Sequence, residues 1–161
     1  MKQRLHIGVL GPNTCTREEY ELGYAVGAGL AEAGAVLVCG GLGGMMEAAA
    51  EGAKSRDGVT VGLLPGEEAQ SANAFIDIPL PTGLGPVRNV LVVRACDAVI
   101  AIRGGYGTLS EVAFALRLGV PVIGLNTWSA VKDGQPDPGI HAVDTPEEAV
   151  RLALEQGKKP Y

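Results

Sequence analysis

Runs of apolar residues alternate with longer mixed segments along the whole chain. Short apolar runs bounded by glycine, proline or polar residues are typical of buried strands. Such runs predict strands at Leu5–Leu10, Ala35–Cys39, Val59–Leu64, Ala98–Ile102 and Pro121–Leu125. A shorter run predicts a further strand at Phe75–Pro79.

The segments between these strands have helical composition. A helix is predicted from Thr16 through about Ala33, with Thr16 and Glu19 as a capping box and Gly34 as its C-cap. Further helices are predicted for the segment that ends near Lys54, for Val87–Ala95, for Val112–Leu118 and for the segment that starts at Thr145. Residues 66–74 are expected to form a loop or mobile flap, and residues 126–144 to be irregular.

Strands that alternate with helices through short loops indicate a parallel sheet with helices on both faces. The predicted fold class is therefore α/β, a three-layer, doubly wound, Rossmann-like domain that spans residues 1–161. In such sheets the ligand binds at the carboxyl ends of the strands, near the point where the strand order reverses. Loops with glycines follow the first, second and fifth strands, so we expect them to converge on one pocket.

The loop after the fifth strand is the main candidate for ligand binding. At a turn from strand to helix, free backbone N–H groups and the helix dipole favour an anion such as phosphate. The residues predicted to bind phosphate there are Gly104, Gly105, Tyr106, Gly107 and Thr108. Glu111 stands one helical turn further on and would place a carboxylate beside the phosphate. Thr108 and Glu111 also have the spacing of a capping box, which is the structural alternative.

Two further groups of residues are candidates for the same pocket. The ligand pocket is predicted to be lined by Gly11, Gly41, Gly44 and Met45, although Met45 is also a candidate for packing in the core. Arg88 lies near the start of a helix, where the dipole disfavours a cation unless an anion is close by. The alternative for Arg88 is a position at the rim, where the side chain extends to water or pairs with a surface carboxylate.

Charge and composition narrow the range of partners. The net charge is −5 with Lys and Arg scattered along the chain, which argues against a nucleic-acid partner. No apolar run approaches the length of a membrane span and no signal-peptide pattern is present, so we expect a cytoplasmic protein without membrane association. The three cysteines are widely spaced and neither histidine has a partner at metal spacing, so no metal site is predicted.

Two glycine signatures together resemble those of a known family. Gly40–Met45 and Gly104–Glu111, with Arg88 upstream, are similar to the LOG proteins, which are often labelled lysine decarboxylases. Characterised LOG proteins are cytokinin-activating nucleoside 5′-monophosphate phosphoribohydrolases. The resemblance covers nearly the whole chain and is closest to a shorter branch that includes molybdenum cofactor carrier proteins. It also implies a homo-oligomer, a dimer or larger, which the apolar helix at Val87–Ala95 favours.

The resemblance assigns roles by position. It implies that residues 104–108 bind the 5′-phosphate, that Glu111 is catalytic or contacts the ribose, and that Arg88 is the catalytic arginine. No lysine motif for pyridoxal phosphate is evident, so lysine decarboxylation is rejected and no cofactor is required. Two positions depart from the family pattern. Arg103 replaces a proline and is either an additional phosphate contact or a solvent-facing residue at the strand end, and Asn89 replaces the lysine that follows the arginine.

Two functions remain open at this point. The first is hydrolysis of the N-glycosidic bond of a nucleoside 5′-monophosphate to free base and ribose 5-phosphate. Glu111 would then stabilise the oxocarbenium-like transition state, and Arg88 would hold Glu111 and the ligand in place. The alternative is a non-catalytic carrier of a nucleotide or of the molybdenum cofactor, a pterin phosphate. The pair Arg88 and Glu111 favours hydrolysis, whereas the missing lysine and the shorter branch favour the carrier.

Overall fold

A computed structural model describes residues 3–158 of the chain, and within them one parallel sheet lies between two layers of helices. The seven strands of this sheet are β1 (His6–Leu10), β2 (Val36–Cys39), β3 (Val59–Leu64), β4 (Ile78–Pro81), β5 (Ala98–Ile102), β6 (Val122–Leu125) and β9 (Ile140–Val143). The helices are α1 (Arg17–Glu32), α2 (Met45–Lys54), α3 (Arg88–Arg94), α4 (Tyr106–Leu118) and α5 (Pro146–Gly157). A separate antiparallel pair consists of β7 (Val131–Lys132) and β8 (Gln135–Pro136).

The strand order is β4-β3-β2-β1-β5-β6-β9, and each neighbouring pair is parallel. The chain runs outward from β1 to one edge, returns to the other side of β1 with β5, and then runs outward to the opposite edge. The order therefore reverses between β1 and β5, where their carboxyl ends leave a crevice for a ligand. The α/β, doubly wound fold predicted from the sequence is confirmed.

Alternating side chains of the central strands pack into two separate cores. Ile7 and Val9 of β1 pack on the side of α1, α2 and α5, whereas Leu10 packs on the side of α3 and α4. The neighbouring strand β5 alternates in the same way. Because both faces are covered, residues 7–10 of β1 and all residues of β5 are buried and carry no polar side chain, which explains their continuous apolar runs.

The structure differs from the predicted secondary structure in two regions. The strand expected at Phe75–Pro79 begins instead at Ile78, because the Asp77 carboxylate accepts hydrogen bonds from Thr60 N at 3.0 Å and Lys54 Nζ at 2.9 Å. These side-chain bonds replace ladder pairing until β4 begins. The region 126–144, expected to be irregular, contains β7, β8 and the edge strand β9, in which His141 interrupts the apolar run and the two central residues are exposed.

The segment expected to be a loop or mobile flap is tied to the second glycine loop. A short 3₁₀ turn at Ala69–Ser71 leads to Asn73, whose side-chain amide donates to Leu42 O at 2.7 Å. The backbone N–H of Asn73 donates to Gly41 O at 2.9 Å. Asn73 therefore fixes the loop that lies between β2 and α2.

Two helix starts agree with the sequence prediction and a third differs from it. Thr16 and Glu19 form the expected capping box at α1, and Thr145 caps α5 by accepting from Glu148 N. Helix α4 begins earlier than expected, with Gly105 at its N-cap position. In the described part of the chain, no helix is both long enough and apolar enough to cross a membrane.

Candidate functional site

A cavity of ≈ 460 Å³ lies at the carboxyl edge of the sheet, over the crevice between β1 and β5. The loops after β1, β2, β3 and β5 and the starts of α3 and α4 all contribute to its wall. Six of the residues predicted to form the site line it together: Gly11, Arg88, Gly105, Gly107, Thr108 and Glu111. The sheet topology thus brings together residues that are up to 100 positions apart in the sequence.

The first turn of α4 is open to a ligand. Its first intrahelical hydrogen bond runs from Leu109 N to Gly105 O at 3.0 Å, so the N–H groups of the preceding helical residues have no acceptor within the helix. Thr108 is the third residue of the helix and no side chain caps its start. The alternative of a capping box at Thr108 and Glu111 is therefore wrong, and Glu111 is available to the cavity.

The three glycines of this turn differ in the space that surrounds them. Gly104 has a φ of +100°, and a Cβ there would lie 2.2 Å from Thr108 Oγ1, so the fold itself needs this glycine. A Cβ on Gly105 or Gly107 would meet no atom within 4 Å. Both of these glycines line the cavity, so the space above them is open to a ligand.

We expect Gly107→Ala to stabilise the protein and weaken ligand binding at the same time. Alanine inside a helix is more stable than glycine by about 0.5–1 kcal/mol, and its methyl group would occupy part of the open cavity. Thermal melts and isothermal titration with a nucleoside monophosphate measure the two effects. Gly104→Ala is the matched comparison, since it forces a Cβ into Thr108 and should lower the melting temperature. Unchanged affinity in Gly107→Ala would place the ligand elsewhere.

Arg88 is a buried cation in the wall of this cavity. It is the first residue of α3 and is 7% exposed, so the predicted alternative of a rim arginine is wrong. Its guanidinium occupies the space above Gly40, because a Cβ on Gly40 would lie 1.8 Å from Arg88 Nη1. Among residues 3–158, no hydrogen-bond acceptor meets Arg88 Nε. An unpaired buried donor of this kind is costly, and an anionic ligand would satisfy it.

Glu111 shares the cavity with Arg88 and is 9% exposed. Burial raises the pKa of Glu111 to about 7, and the positive charge of Arg88 offsets this increase only in part. Burial also lowers the pKa of Arg88, while the charge of Glu111 opposes that change. The salt bridges among the described residues do not include this pair. The cavity therefore holds a permanent cation next to a carboxyl group that titrates near neutral pH.

The loop after β2 contributes differently from the prediction. Met45 is fully buried in the core, and a Cβ on Gly11 would lie 2.4 Å from its Cγ. Gly41 and Gly44, with φ of +77° and +64°, make close backbone turns against Gly62 and the loop after β1. Met45, Gly41 and Gly44 do not belong to the cavity lining, which corrects the prediction that they line the ligand pocket.

Several cavity residues were not found by sequence reasoning. They are Pro12 and Asn13 after β1, Gly40 and Met46 beside β2, and Pro65, Gly85, Pro86 and Asn89 around α3. Met46 supplies a polarisable side chain for a flat ring, and the amide groups of the two asparagines can donate to and accept from a ring edge. The sequence did not identify Met46, because the side chains of adjacent helical residues point in different directions and the pattern does not show whether Met45 or Met46 faces the ligand.

Arg103 and Tyr106 lie outside the main cavity. Arg103 lines a neighbouring cavity and has a φ of +51°. The side chain of Tyr106 is exposed and lies beside Trp128, with ring centroids 5.8 Å apart. Tyr106 can therefore contribute its backbone N–H to the turn, but its ring does not contact the main cavity.

Across residues 3–158, no group of three or more His, Cys, Asp and Glu side chains is arranged to hold a metal ion.

Comparison with known proteins gives consistent similarities over nearly the whole chain. The SLOG cluster4 family matches residues 4–150. An uncharacterised protein of Archaeoglobus fulgidus is 43% identical over 155 residues, which cover 96% of this chain and 98% of that protein.

Two solved structures connect this fold with molybdenum cofactor binding. The molybdenum cofactor binding protein from the phototrophic bacterium Rippkaea orientalis is 34% identical, with a TM-score of 0.86 and coverage of 96% of this chain and 98% of that one. The molybdenum cofactor carrier protein from Chlamydomonas reinhardtii is 27% identical, with a TM-score of 0.83 and coverage of 98% and 100%. Each match covers at least 96% of both chains.

Proposed function

This chain belongs to the SLOG cluster4 family, and we propose that it is a cytoplasmic carrier that binds a phosphorylated pterin, the molybdenum cofactor, without changing it. The observation that carries the proposal is the buried Arg88, whose Nε has no acceptor in the described structure and whose guanidinium lies in the cavity wall. A phosphorylated ligand would supply the missing acceptor. The similarity to a cofactor-binding protein and a cofactor carrier supports this choice of ligand.

The cavity offers a separate place for each part of such a ligand. The open first turn of α4 and Arg88 would bind the phosphate through charge-assisted hydrogen bonds. Met46 and Pro65 line the cavity and would provide an apolar wall for the flat pterin ring, while Asn13 and Asn89 also line it and carry amide groups that can hydrogen-bond to a ring edge. Recognition would thus combine one anionic site with a ring site of mixed polarity.

Retention of the cofactor on the protein tests this proposal. The purified protein is mixed with released molybdenum cofactor near neutral pH, desalted, and analysed for molybdenum and pterin per chain. We expect both to stay with the protein in equal amounts. Pterin and molybdenum that elute entirely with the small molecules would overturn the carrier proposal.

Hydrolysis of a nucleoside 5′-monophosphate is the second candidate, and Glu111 is the observation that favours it. A buried carboxyl group with a pKa of about 7 is suited to proton transfer at neutral pH, and Arg88 lies in the same cavity. In this reaction Glu111 would stabilise the developing oxocarbenium ion and direct a water molecule to the anomeric carbon. The products would be the free base and ribose 5-phosphate.

Release of ribose 5-phosphate from a panel of nucleoside monophosphates separates the two candidates. The carrier proposal predicts no release above that of a protein-free control, even for monophosphates that bind. Release by the wild type that disappears in a folded Glu111→Gln variant would establish the hydrolase instead.

We also propose that the chain forms a homodimer through an apolar surface beside the cavity. This surface consists of exposed side chains of β4, of the segment that leads into α3 and of α3 itself: Ile78, Leu80, Leu84, Val87 and Leu91. Large apolar side chains exposed on neighbouring segments of the chain commonly mark a protein interface. Sedimentation velocity should show a dimer for the wild type and a monomer for Leu80→Lys, and a monomeric wild type would contradict the proposal.

A further inference from the structure

A second cavity lies on the other side of the same glycine turn. Its volume is ≈ 730 Å³, and its wall includes Pro12, Thr14, Arg103, Gly104 and the segment 126–129. The two cavities share Pro12, and the successive residues Gly104 and Gly105 face one cavity each. A ligand whose phosphate sits on the turn can therefore extend from the first cavity into the second.

Arg103 places a cation in this second cavity. It follows directly after β5 and takes a left-handed conformation with φ of +51°. Within residues 3–158, its Nε is buried and has no acceptor, and its Nη2 lies 3.7 Å from the exposed Glu18 carboxylate. Exposed ion pairs at this distance contribute little. The guanidinium is thus held weakly and has capacity for another anion.

The segment 126–129 is fixed to the turn on the far side of the cavity. Thr127 Oγ1 donates a hydrogen bond to Arg103 O, and Trp128 Nε1 donates to Gly105 O at 3.0 Å. The Trp128 ring also packs beside the Tyr106 ring. The second cavity is therefore bordered by an arginine on one side and by an aromatic side chain on the other, both tied to the phosphate turn.

We propose that this second cavity binds a second phosphate, so that a diphosphate-linked form of the ligand binds more tightly than a form with one phosphate. This inference rests on the proposed binding of the first phosphate at α4. The first phosphate would occupy the turn and the next would contact Arg103. A further group attached to that phosphate would lie along Trp128, as in a diphosphate-linked conjugate of two ring systems.

The acidic residues near Arg103 do not prevent this binding. Glu19 also lines the cavity, but its carboxylate accepts a hydrogen bond from Thr16 N at 2.9 Å and belongs to the α1 capping box. Glu18 is 80% exposed and can turn into solvent when a phosphate replaces it. We therefore expect Glu18→Gln to increase affinity for a diphosphate, since it removes the competing charge from Arg103.

Paired titrations test this inference without knowledge of the natural ligand. Phosphate is compared with pyrophosphate, and AMP with ADP, for the wild type, Arg103→Gln and the exposed control Arg151→Gln. One additional charge-assisted contact should make each diphosphate bind about tenfold or more tightly than its monophosphate. We expect Arg103→Gln to remove this preference and leave the monophosphate affinities unchanged. Because each ratio is measured within one variant, a partly unfolded sample does not alter it.

The outcomes separate this inference from the proposed function. If phosphate and AMP bind but the diphosphates show no preference, or the preference survives in Arg103→Gln, the second phosphate site is overturned and the first stands. If phosphate, pyrophosphate and both nucleotides all fail to bind, the phosphate site at α4 falls and this inference falls with it. If pyrophosphate binds more tightly than phosphate in the wild type but not in Arg103→Gln, and AMP does not bind, the second phosphate site stands and nucleotide recognition is excluded.

Discussion

Replacing Arg88 with glutamine should weaken binding of a phosphorylated ligand by about 100-fold. Hydrogen bonds to charged groups contribute about 1.5–3 kcal/mol each, and Arg88 is only 7% exposed, which limits competition from water. Titration of AMP and of the molybdenum cofactor into both proteins measures the loss. We expect the variant to stay folded, because Gln removes a buried cation whose Nε has no acceptor among residues 3–158.

Arg94→Gln is the matched control for this prediction. Arg94 lies on the same helix, α3, but its side chain is exposed. The control should bind with wild-type affinity, which would show that the loss does not arise from a general change in charge. An Arg88→Gln variant that binds as tightly as the wild type would contradict the role assigned to this residue.

Glu111→Gln should stabilise the protein at pH 8 by about 3 kcal/mol and have little effect at pH 5. Burial raises the pKa of Glu111 from 4.5 to about 7 in the folded state. The stabilising contribution of the protonated group is fully present below pH 4.5, declines as the pH rises, and is lost above about pH 7. Glutamine resembles the protonated carboxyl group at every pH, so it avoids the cost of a buried carboxylate.

Chemical denaturation of wild type and variant from pH 5 to pH 8 measures this difference directly. Glu67→Gln is a suitable control, since Glu67 is exposed and the same charge is removed. A stability difference that stays constant across the pH range would contradict a buried, titrating Glu111. The carrier proposal adds that Glu111→Gln binds an anionic ligand at pH 8 at least as tightly as the wild type.

The fold was predictable because its central strands are buried on both faces. Continuous apolar runs such as those of β1 and β5, separated by helical segments, are typical of parallel strands covered by helices on each side. The edge strands were harder to predict. In β4 the prolines Pro79 and Pro81 are tolerated at the sheet edge, and β9 has exposed residues at its centre, so neither sequence resembles a buried strand.

The sequence predicted which residues belong to the site more easily than it predicted how deeply their side chains are buried. Arg88 and Glu111 were identified as candidates for two reasons. A cation at a helix start is unfavourable unless an anion is close by, and a carboxylate after a glycine turn lies beside a predicted phosphate site. Their burial depends on how α3 packs against α4 and over β3, and on how α4 packs over β5 and β6, which no local pattern records. Met45 and Met46 differ in the same way, since one packs against Gly11 in the core and the other faces the cavity.

Arg103 shows a different limit of the sequence. The sequence left two possibilities for its side chain, a phosphate contact or a solvent-facing position. Its left-handed backbone and the hydrogen bond from Thr127 to its carbonyl oxygen depend on the neighbouring strand end, where Asn126 is also left-handed. Such coupling between two loops is visible only once the strand order is known.

The central claim is that the cavity holds a phosphorylated ring ligand and returns it unchanged. The most direct test is to load the wild-type protein with the molybdenum cofactor at pH 7, isolate the complex, denature it and identify the recovered ligand by mass spectrometry. The account predicts one equivalent of ligand per chain with its phosphate and pterin intact. Recovery of a cleaved ligand, or of none from a folded protein, would contradict it.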